Sequence, residues 1–240
     1  MTELLYQTDS YLKAFDAKIT ALSEELHAIQ LDRSAFFPGG GGQVYDTGRI
    51  LVGDTELMLQ RARHSPEGLW HLISGEQPLP PIGTEVHGLI DWERRYQVMR
   101  THTAMHVLCG TIFRDYGALV TGGDMEPLHA RMDFEFENLH KDLVQVIEDS
   151  VNAEIEKGHA VRVQILPREQ AFQIPDLIRT KINLLPPGIS EVRTVEIVGL
   201  DLQADGGTHV NNTREVGRIR IPEYKSKGKI NKRIYVELLP

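Results

Sequence analysis

The sequence predicts an α+β protein made of a β-rich domain over residues 1–85 and an α+β domain over residues 86–240. Short apolar runs between Gly and Pro turn signals fill the first part, as in a chain of short strands. Three prolines in Gln77–Gly83 exclude a helix there and indicate an extended linker. Beyond this linker, helical periodicity alternates with strand-like alternation, which is typical of a mostly antiparallel sheet backed by helices.

Composition places the chain among ordinary globular proteins. It has 240 residues, 41% of them hydrophobic and 25% charged, and a formal net charge of −8. No apolar run approaches the roughly 18 residues of a membrane span, and the N-terminus lacks the pattern of a signal peptide. The single cysteine, Cys109, excludes an intrachain disulfide. We therefore expect a cytoplasmic protein without a membrane partner, whose contacts with nucleic acid, if any, depend on local charge.

In the N-terminal part, the apolar runs Ile50–Val52 and Leu69–Ile73 are predicted to be strands. Tyr11–Leu31 is ambiguous, because Ala21–Leu26 also fits a helix. We favour strand, loop and strand there, since the segment leads directly into a tight glycine cluster.

The second part begins with a predicted strand at Val86–Asp91 and a helix at Trp92–Tyr116. A helical pattern from Leu143 to Ile155 stops at Gly158, a common helix-ending residue. The remaining predictions are strands at Met132–Phe136, Ala160–Leu166 and Arg193–Leu200, a short helix within Pro167–Arg179, and a closing hairpin of Val216–Ile221 and Ile230–Leu238.

Two distant segments carry metal-ligand chemistry. His102 and His106 lie four apart on the predicted helix and therefore share a face. Such a pair alone more often reflects packing, but Asp205 and His209 add a carboxylate and an imidazole around two glycines. Together the four residues predict one site, and this ligand set suits a single Zn²⁺ ion per chain.

Four consecutive glycines, Gly39, Gly40, Gly41 and Gly42, form the second unusual segment. They indicate either a close approach of the backbone to another molecule or a flexible turn between strands. The segment lacks the Gly-Lys-Ser/Thr end of a phosphate-binding loop and no βαβ unit surrounds it.

The stretch Tyr224–Arg233 contains five basic residues and no acid, which favours phosphate contacts or a solvated basic hairpin. The residues that we assign to such contacts are Lys225, Lys227, Lys229, Lys232 and Arg233.

These segments together resemble the free-standing alanyl-tRNA editing proteins, which are similar to the editing domain of alanyl-tRNA synthetase. The motifs that carry the resemblance span nearly the whole chain and are Leu31–Phe37, Gly40–Gly48, Ile90–His106, Asp201–Val210, Glu215–Gly217 and Ser226–Lys229.

The resemblance implies a small N-terminal β-barrel that carries the glycine motif, followed by a metal-bearing editing domain. It implies hydrolysis of Ser-tRNA(Ala) and, as in some members, Gly-tRNA(Ala), with the misacylated 3′ end of tRNA(Ala) as the partner. Since no aminoacylation domain fits in 240 residues, the chain is expected to act in trans. A catalytically inactive tRNA-binding protein and a metal-dependent hydrolase of another small ester are the alternatives.

One residue departs from the family pattern. The turn usually reads Cys-Gly-Gly-Thr-His, whereas here Asp205 stands in place of the cysteine. Either Asp205 ligates the ion through oxygen, which we favour, or three histidines hold it and Asp205 orients one of them or a water. A carboxylate is a harder ligand than a thiolate and weakens the preference for zinc.

Rejecting alanine while accepting serine requires hydrogen bonds to one extra hydroxyl. We assign this chemistry to Ser34, where the family usually has threonine, and to Gln43, with Gln203 beside the metal turn as a third catalytic candidate. Arg100 is a candidate for a tRNA phosphate or for a contact along its helix, and Asp46 is expected to be structural.

Overall fold

The computed structural model describes residues 2–180, 185 and 188–239. By its internal contacts the chain divides into a first unit, Met1–Gly40 with Val44–Tyr96, and a second unit, Gly41–Gln43 with Gln97–Pro240. This division lies after Tyr96, later than the sequence-based boundary at residues 85 and 86.

The first unit is built from strands. They are β1 Glu3–Leu4, β2 Ala14–Ser23, β3 Ala28–Leu31, β4 Arg33–Ser34, β5 Gly48–Val52, β6 Thr55–Ser65, β7 Gly68–Ile73 and β8 Glu85–Ile90. Six of them close into a barrel in the order β2-β3-β7-β6-β5-β8, and β1 pairs with β4 in parallel. This confirms the barrel that the resemblance implied.

Closure of the barrel explains why the structural division lies after residue 85. β8 pairs with β2 on one side and with β5 on the other, so the predicted strand at Val86 belongs to the barrel. Gly88 permits this closure, because a Cβ there would lie 2.4 Å from the Phe15 ring. β2 and β3 form a hairpin, which confirms the strand reading of Tyr11–Leu31.

The second unit combines helices with two antiparallel sheets. The helix α1, Trp92–Tyr116, belongs to this unit from Gln97 onward. The elements that follow are β9 Val120–Glu126, β10 His129–Glu135, α2 Lys141–Lys157, β11 Val161–Pro167, α3 Arg168–Ala171, β12 Glu191–Ile197, β13 Asp201–Ala204, β14 Arg218–Ser226 and β15 Asn231–Leu239. One sheet has the order β14-β15-β10-β9 and the other β11-β12-β13. The α+β class is therefore confirmed.

Two features of this unit position the site. All residues from Thr101 to Gly110 on α1 are buried, so this helix runs through the core and not along the surface. The middle strand β12 leads through β13 to the turn that starts at Asp205. None of the helices in the described ranges combines the length and hydropathy that crossing a membrane requires.

Candidate functional site

Four side chains of the second unit converge at one point. His102 and His106 come from adjacent turns of α1, and Asp205 and His209 come from the turn after β13. Their potential ligand atoms all lie within 4.8 Å of one another. Asp205 Oδ1 is 3.4 Å from His102 Nε2 and 3.9 Å from His106 Nε2. The four residues could therefore hold one metal ion, around which tetrahedral ligands at about 2.1 Å lie roughly 3.4 Å apart.

Gln43 fixes the orientation of His102. Its Oε1 accepts the backbone N–H of Thr208 at 2.9 Å, which identifies that atom as the oxygen, and it lies 2.8 Å from His102 Nδ1. His102 therefore donates from Nδ1 and keeps the Nε2 lone pair for a metal. The approach is close enough to require Gly207, where a Cβ would lie 2.3 Å from His102 Cε1.

The other two imidazoles have similar outer partners. His209 Nδ1 lies 3.2 Å from the hydroxyl oxygen of Thr103, which also accepts the Val210 N–H at 3.2 Å. His106 Nδ1 lies 3.5 Å from Asp201 Oδ2. In all three histidines Nδ1 faces an outer polar group and Nε2 faces the common point, which is the usual arrangement around a protein-bound metal. At His106 the outer contact is an ion-pair separation and not a hydrogen bond.

Asp201 is itself held from several sides. Its carboxylate is fully buried, accepts Gln203 Nε2 at 2.6 Å and lies 3.3 Å from Arg179 Nε. Gly110 of α1 allows β13 to approach the helix, because a Cβ at this position would lie 2.8 Å from Asp201 Cβ. Gln203, which we predicted to be catalytic, thus bonds the carboxylate that faces His106.

The two oxygens of Asp205 have different surroundings. Oδ2 accepts the Gly207 N–H at 2.7 Å and lies 3.0 Å from His209 Nε2. Arg193 is 3.6 Å from the same oxygen and also donates to the Asp205 carbonyl at 2.9 Å. Oδ1 faces His102 and His106, so Asp205 is placed to ligate through one oxygen.

The electrostatics favour the protonation state that binds metal at His102, His209 and Asp205, but not at His106. Burial holds the pKa of His102 well below its usual value and lowers that of His209 to about 4. Burial also lowers the pKa of His106, but the Asp201 and Asp205 carboxylates outweigh it and raise that pKa. Burial opposes the charge of Asp205, yet the histidines hold its pKa well below the usual range. Ligation requires this carboxylate form and neutral imidazoles.

A cavity of about 750 Å³ opens beside the cluster. His102, His106 and Asp205 form part of its wall. Much of the remaining wall is apolar and includes Met105, Val120, Met125, Met132 and Ile178. An apolar cavity with a few convergent polar groups is typical of a small-ligand site.

The glycine motif reaches this cavity. Gly39, Gly40, Gly41 and Gly42 all have positive φ angles, at 86°, 144°, 59° and 88°. Gly41 and Gly42 line the cavity, and the Gly42 carbonyl accepts the Met125 N–H at 2.8 Å. A Cβ on Gly42 would lie 2.9 Å from the Gly123 carbonyl oxygen, so the motif serves a close backbone approach.

Known proteins share this sequence along its whole length. The chain is 39% identical over 242 residues to the alanyl-tRNA editing protein AlaX-M of Saccharolobus solfataricus, covering 100% of both chains. It is 36% identical over 245 residues to AlaX-M of Methanosarcina mazei, covering 100% of this chain and 97% of the relative. The chain belongs to the AlaX-M family.

Two further likenesses agree with this assignment to the AlaX-M family. A family model described as the threonyl and alanyl tRNA synthetase second additional domain matches residues 192–235. The alanine–tRNA ligase of Pyrococcus furiosus is 36% identical over 224 residues, which cover 92% of this chain but only 24% of the ligase.

Ser34, another residue that we predicted to be catalytic, belongs to the first unit. It is fully buried, and its hydroxyl lies 2.8 Å from Nε2 of His71, whose pKa burial lowers to about 4. Its role toward a substrate stays a prediction. Asp46 forms a buried ion pair with Arg95, which agrees with a structural role.

The residues predicted to bind tRNA fall into two groups. Lys225, Lys227 and Lys229 are exposed on the hairpin formed by β14 and β15. Lys232 is buried, and its ammonium donates to the Gly228 and Lys229 carbonyls at 2.7 and 2.9 Å.

Arg233 and Arg100 are likewise engaged by the protein. Arg233 makes a two-pronged ion pair with Asp133 at 2.7 and 2.8 Å. Arg100 donates to the carbonyls of Val216 and Leu239 at 2.9 and 3.0 Å, which ties α1 to β15 and to the segment before β14. These contacts give both residues a structural use that the sequence did not predict.

Sequence reasoning missed Asp201, Arg193 and Thr103 as parts of the site. Asp201 stands four residues before Asp205 inside a motif that was already recognised, so its carboxylate was a usable signal. Thr103 and Arg193 carry no local signal, because only the folded chain brings them to His209 and Asp205.

Proposed function

We propose that this chain hydrolyses the aminoacyl ester of mischarged tRNA(Ala) in trans, with Ser-tRNA(Ala) as the main substrate and Gly-tRNA(Ala) as the second. The observation that carries the proposal is the cluster of three imidazoles and one carboxylate on the wall of a 750 Å³ cavity. Full-length relatives that bear the name alanyl-tRNA editing protein supply the substrate class.

We further propose that the cluster holds one Zn²⁺ ion per chain through His102, His106, His209 and Asp205 Oδ1. Such zinc would polarise an ester carbonyl or lower the pKa of a bound water only by accepting a fifth ligand, because four protein ligands fill a tetrahedral site. The chain's contribution is to keep the three Nε2 lone pairs aimed at one point through Gln43, Thr103 and Asp201. Loss of such outer partners typically reduces metal affinity 10- to 100-fold.

Gln43 is better described as a positioning residue than as a group that reads the serine hydroxyl. Its amide oxygen is shared by His102 and the Thr208 N–H, and its amide nitrogen donates to the Thr208 hydroxyl at 2.9 Å. Gln203 is similarly committed to Asp201. Both therefore act on the reaction through the metal ligands that they or their partners orient.

The proposed partner is tRNA(Ala), bound with its misacylated 3′ end in the cavity. The methionine-rich wall offers apolar area to the terminal adenosine, while the ester lies toward the imidazoles. Phosphate contacts are assigned to the exposed ammonium groups of Lys225, Lys227 and Lys229.

The decisive experiment compares deacylation of seryl-, glycyl- and alanyl-tRNA(Ala), with and without a chelator. We expect rapid loss of serine, slower loss of glycine and retention of alanine. A chelator should stop hydrolysis and added zinc should restore it. His106→Ala should abolish activity, whereas His87→Ala, a partly exposed histidine of the first unit paired with Asp16, should not.

Other outcomes would assign other functions. Binding of tRNA(Ala) without hydrolysis by metal-loaded protein would indicate an inactive tRNA-binding protein. Hydrolysis of small esters alone would indicate a different metal-dependent hydrolase, and equal hydrolysis of alanyl-tRNA(Ala) would contradict an editing role.

A further inference from the structure

The sheet β14-β15-β10-β9 has one apolar face and one charged face. On β15 the alternate residues Ile234, Val236 and Leu238 are buried, while Arg233, Tyr235 and Glu237 between them are less so. Paired residues form rows across all four strands of this charged face. One row is Gly122, Asp133, Arg233 and Lys225, and the next is Asp124, Arg131, Tyr235 and Glu223.

Tyr235 is the aromatic residue in these rows. The ammonium of Lys225 lies 5.1 Å from its ring centroid, and the guanidinium carbon of Arg233 lies 6.0 Å from it. Arg233 is anchored by a two-pronged ion pair with Asp133. The ring thus lies near two cations on a face that does not belong to the core.

The charged face meets the cavity at the edge strand β9, whereas Met125 and Met132 line the cavity from the opposite, apolar face of the sheet. Thr121 and Gly122 on β9 line the cavity, and Gly122 opens the row that ends at Lys225. The Thr121 hydroxyl donates to the side chain of Asn231 at the base of the basic hairpin, at 2.9 Å. A single-stranded RNA that leaves the cavity past Thr121 therefore next meets the charged face and the hairpin.

The hairpin adds positive charge at the end of this path. Lys227 and Lys229 are exposed at its tip, and the buried Lys232 ammonium holds the tip by bonds to two of its carbonyls. Within the two rows and the tip, the cations Lys225, Lys227, Lys229, Arg131 and Arg233 outnumber the acids Asp124, Asp133 and Glu223.

We propose that Tyr235 is a base-stacking platform for the single-stranded 3′ end of the bound tRNA, with Lys225, Lys227 and Lys229 on the neighbouring phosphates. The proposal rests on the proposed function and names where the RNA leaves the cavity. Stacking on aromatic side chains between cations is a general means of holding single-stranded RNA. Lys225 is 52% exposed, lies on the edge strand β14 and pairs with the equally exposed Glu223 at 3.0 Å. A base can therefore replace its ammonium over the ring while the ammonium exchanges Glu223 for a phosphate, because such an exposed ion pair is weak.

The test measures binding of an uncharged tRNA(Ala) transcript at several salt concentrations. Tyr235→Ala should weaken binding roughly tenfold. It should leave the salt dependence unchanged, because a neutral ring displaces no counterions. Tyr235→Phe, the matched control, should bind as the wild type does. The double variant Lys227→Ala/Lys229→Ala should instead flatten the salt dependence.

A second transcript that lacks the single-stranded 3′ end locates the contact. On this RNA, Tyr235→Ala should bind as the wild type does. The platform would be overturned if Tyr235→Ala bound the intact transcript as tightly as the wild type does, or if its binding were weakened equally on both transcripts. It would also be overturned if Tyr235→Phe lost as much binding as Tyr235→Ala. Deacylation by the wild-type protein tests the proposed function separately, and unchanged thermal unfolding of each variant shows that the fold is intact.

Discussion

At the scale of single residues, Asp205 shows how a turn tolerates an acid where a thiolate is usual. The Gly207 N–H and Arg193 both face Oδ2, which leaves Oδ1 for His102 and His106. A buried carboxylate needs such partners, because burying it without them would raise its pKa and neutralise it. The residue therefore brings its own supporting contacts, which favours the direct-ligand alternative over an indirect role.

Asp205→Cys tests whether this side chain ligates. A thiolate is a softer ligand, with a zinc–sulfur distance of about 2.3 Å. We expect zinc affinity to be kept or raised, and the preference for zinc over manganese to increase on the order of tenfold. Competition with a chromophoric chelator measures both affinities. Asp201→Asn is the comparison, since it changes a carboxylate that lies beside the outer nitrogen of His106 and outside the cluster of candidate ligands. Unaltered metal preference in Asp205→Cys would exclude ligation.

At the scale of elements, local patterns predicted what depends on neighbours in the sequence. The helix Trp92–Tyr116 has the predicted bounds, and α2 ends at Gly158, whose φ of 74° a glycine adopts readily. β9 and β13 were missed, because β9 contains two glycines and polar residues and β13 has only four residues. Their strand conformation comes from pairing with β10 and β12.

In the candidate site, too, one part follows from local sequence patterns and the other part only from the fold. The convergence of the four candidate ligands was predicted from spacing and motif, because each pair lies within one local segment. The contacts of Gln43 with His102 and Thr208 could not be predicted, since these residues are 59 and 165 positions away along the chain. Lys232 and Arg233, whose predicted tRNA contacts stay predictions, also bond within the protein, and only the fold shows this use.

The elements α1 and α2 share a buried ionic contact at Glu154. This carboxylate bonds Arg114 of α1, the Lys157 ammonium at 2.9 Å and the His159 imidazole at 2.9 Å. Burial raises the pKa of Glu154, but these partners outweigh it and lower the pKa to about 2. The unfolded chain titrates near 4.5. The contact therefore stabilises the fold above pH 4.5, and this contribution is lost as the pH falls toward about 2.

Glu154→Gln should reduce the free energy of unfolding at pH 7 by up to about 3 kcal/mol. The difference in unfolding free energy between the variant and the wild type should narrow as the pH falls from 4.5 toward 2, because the wild-type carboxylate then becomes protonated. Denaturant titrations across this range measure the gap. Glu156→Gln, an exposed residue on the same helix, is the control and should change little. A gap that stayed constant with pH would show that charge plays no part.

At the scale of the whole molecule, the two units carry different spectroscopic reporters. Both tryptophans, Trp70 on β7 and Trp92 at the start of α1, belong to the first unit. All four candidate metal ligands, the whole of α2 and most of α1 belong to the second. Tryptophan fluorescence therefore follows the barrel, and the helical circular dichroism signal mainly follows the unit that carries the cluster.

Removal of the metal should consequently lower the unfolding midpoint of the helical circular dichroism signal more than that of the tryptophan fluorescence. A ligand at 100 to 1,000 times its Kd stabilises the folded state by roughly 3–4 kcal/mol, which corresponds to a midpoint shift of about 10 °C in a domain of this size. We expect a chelator to lower the helical midpoint by about this amount and the tryptophan midpoint by less. His102→Ala, which lacks one ligand, should respond weakly to the chelator. Equal shifts in both signals would mean that the barrel unfolds together with the metal-bearing unit, and an unshifted helical midpoint in zinc-loaded protein would contradict a metal-stabilised site.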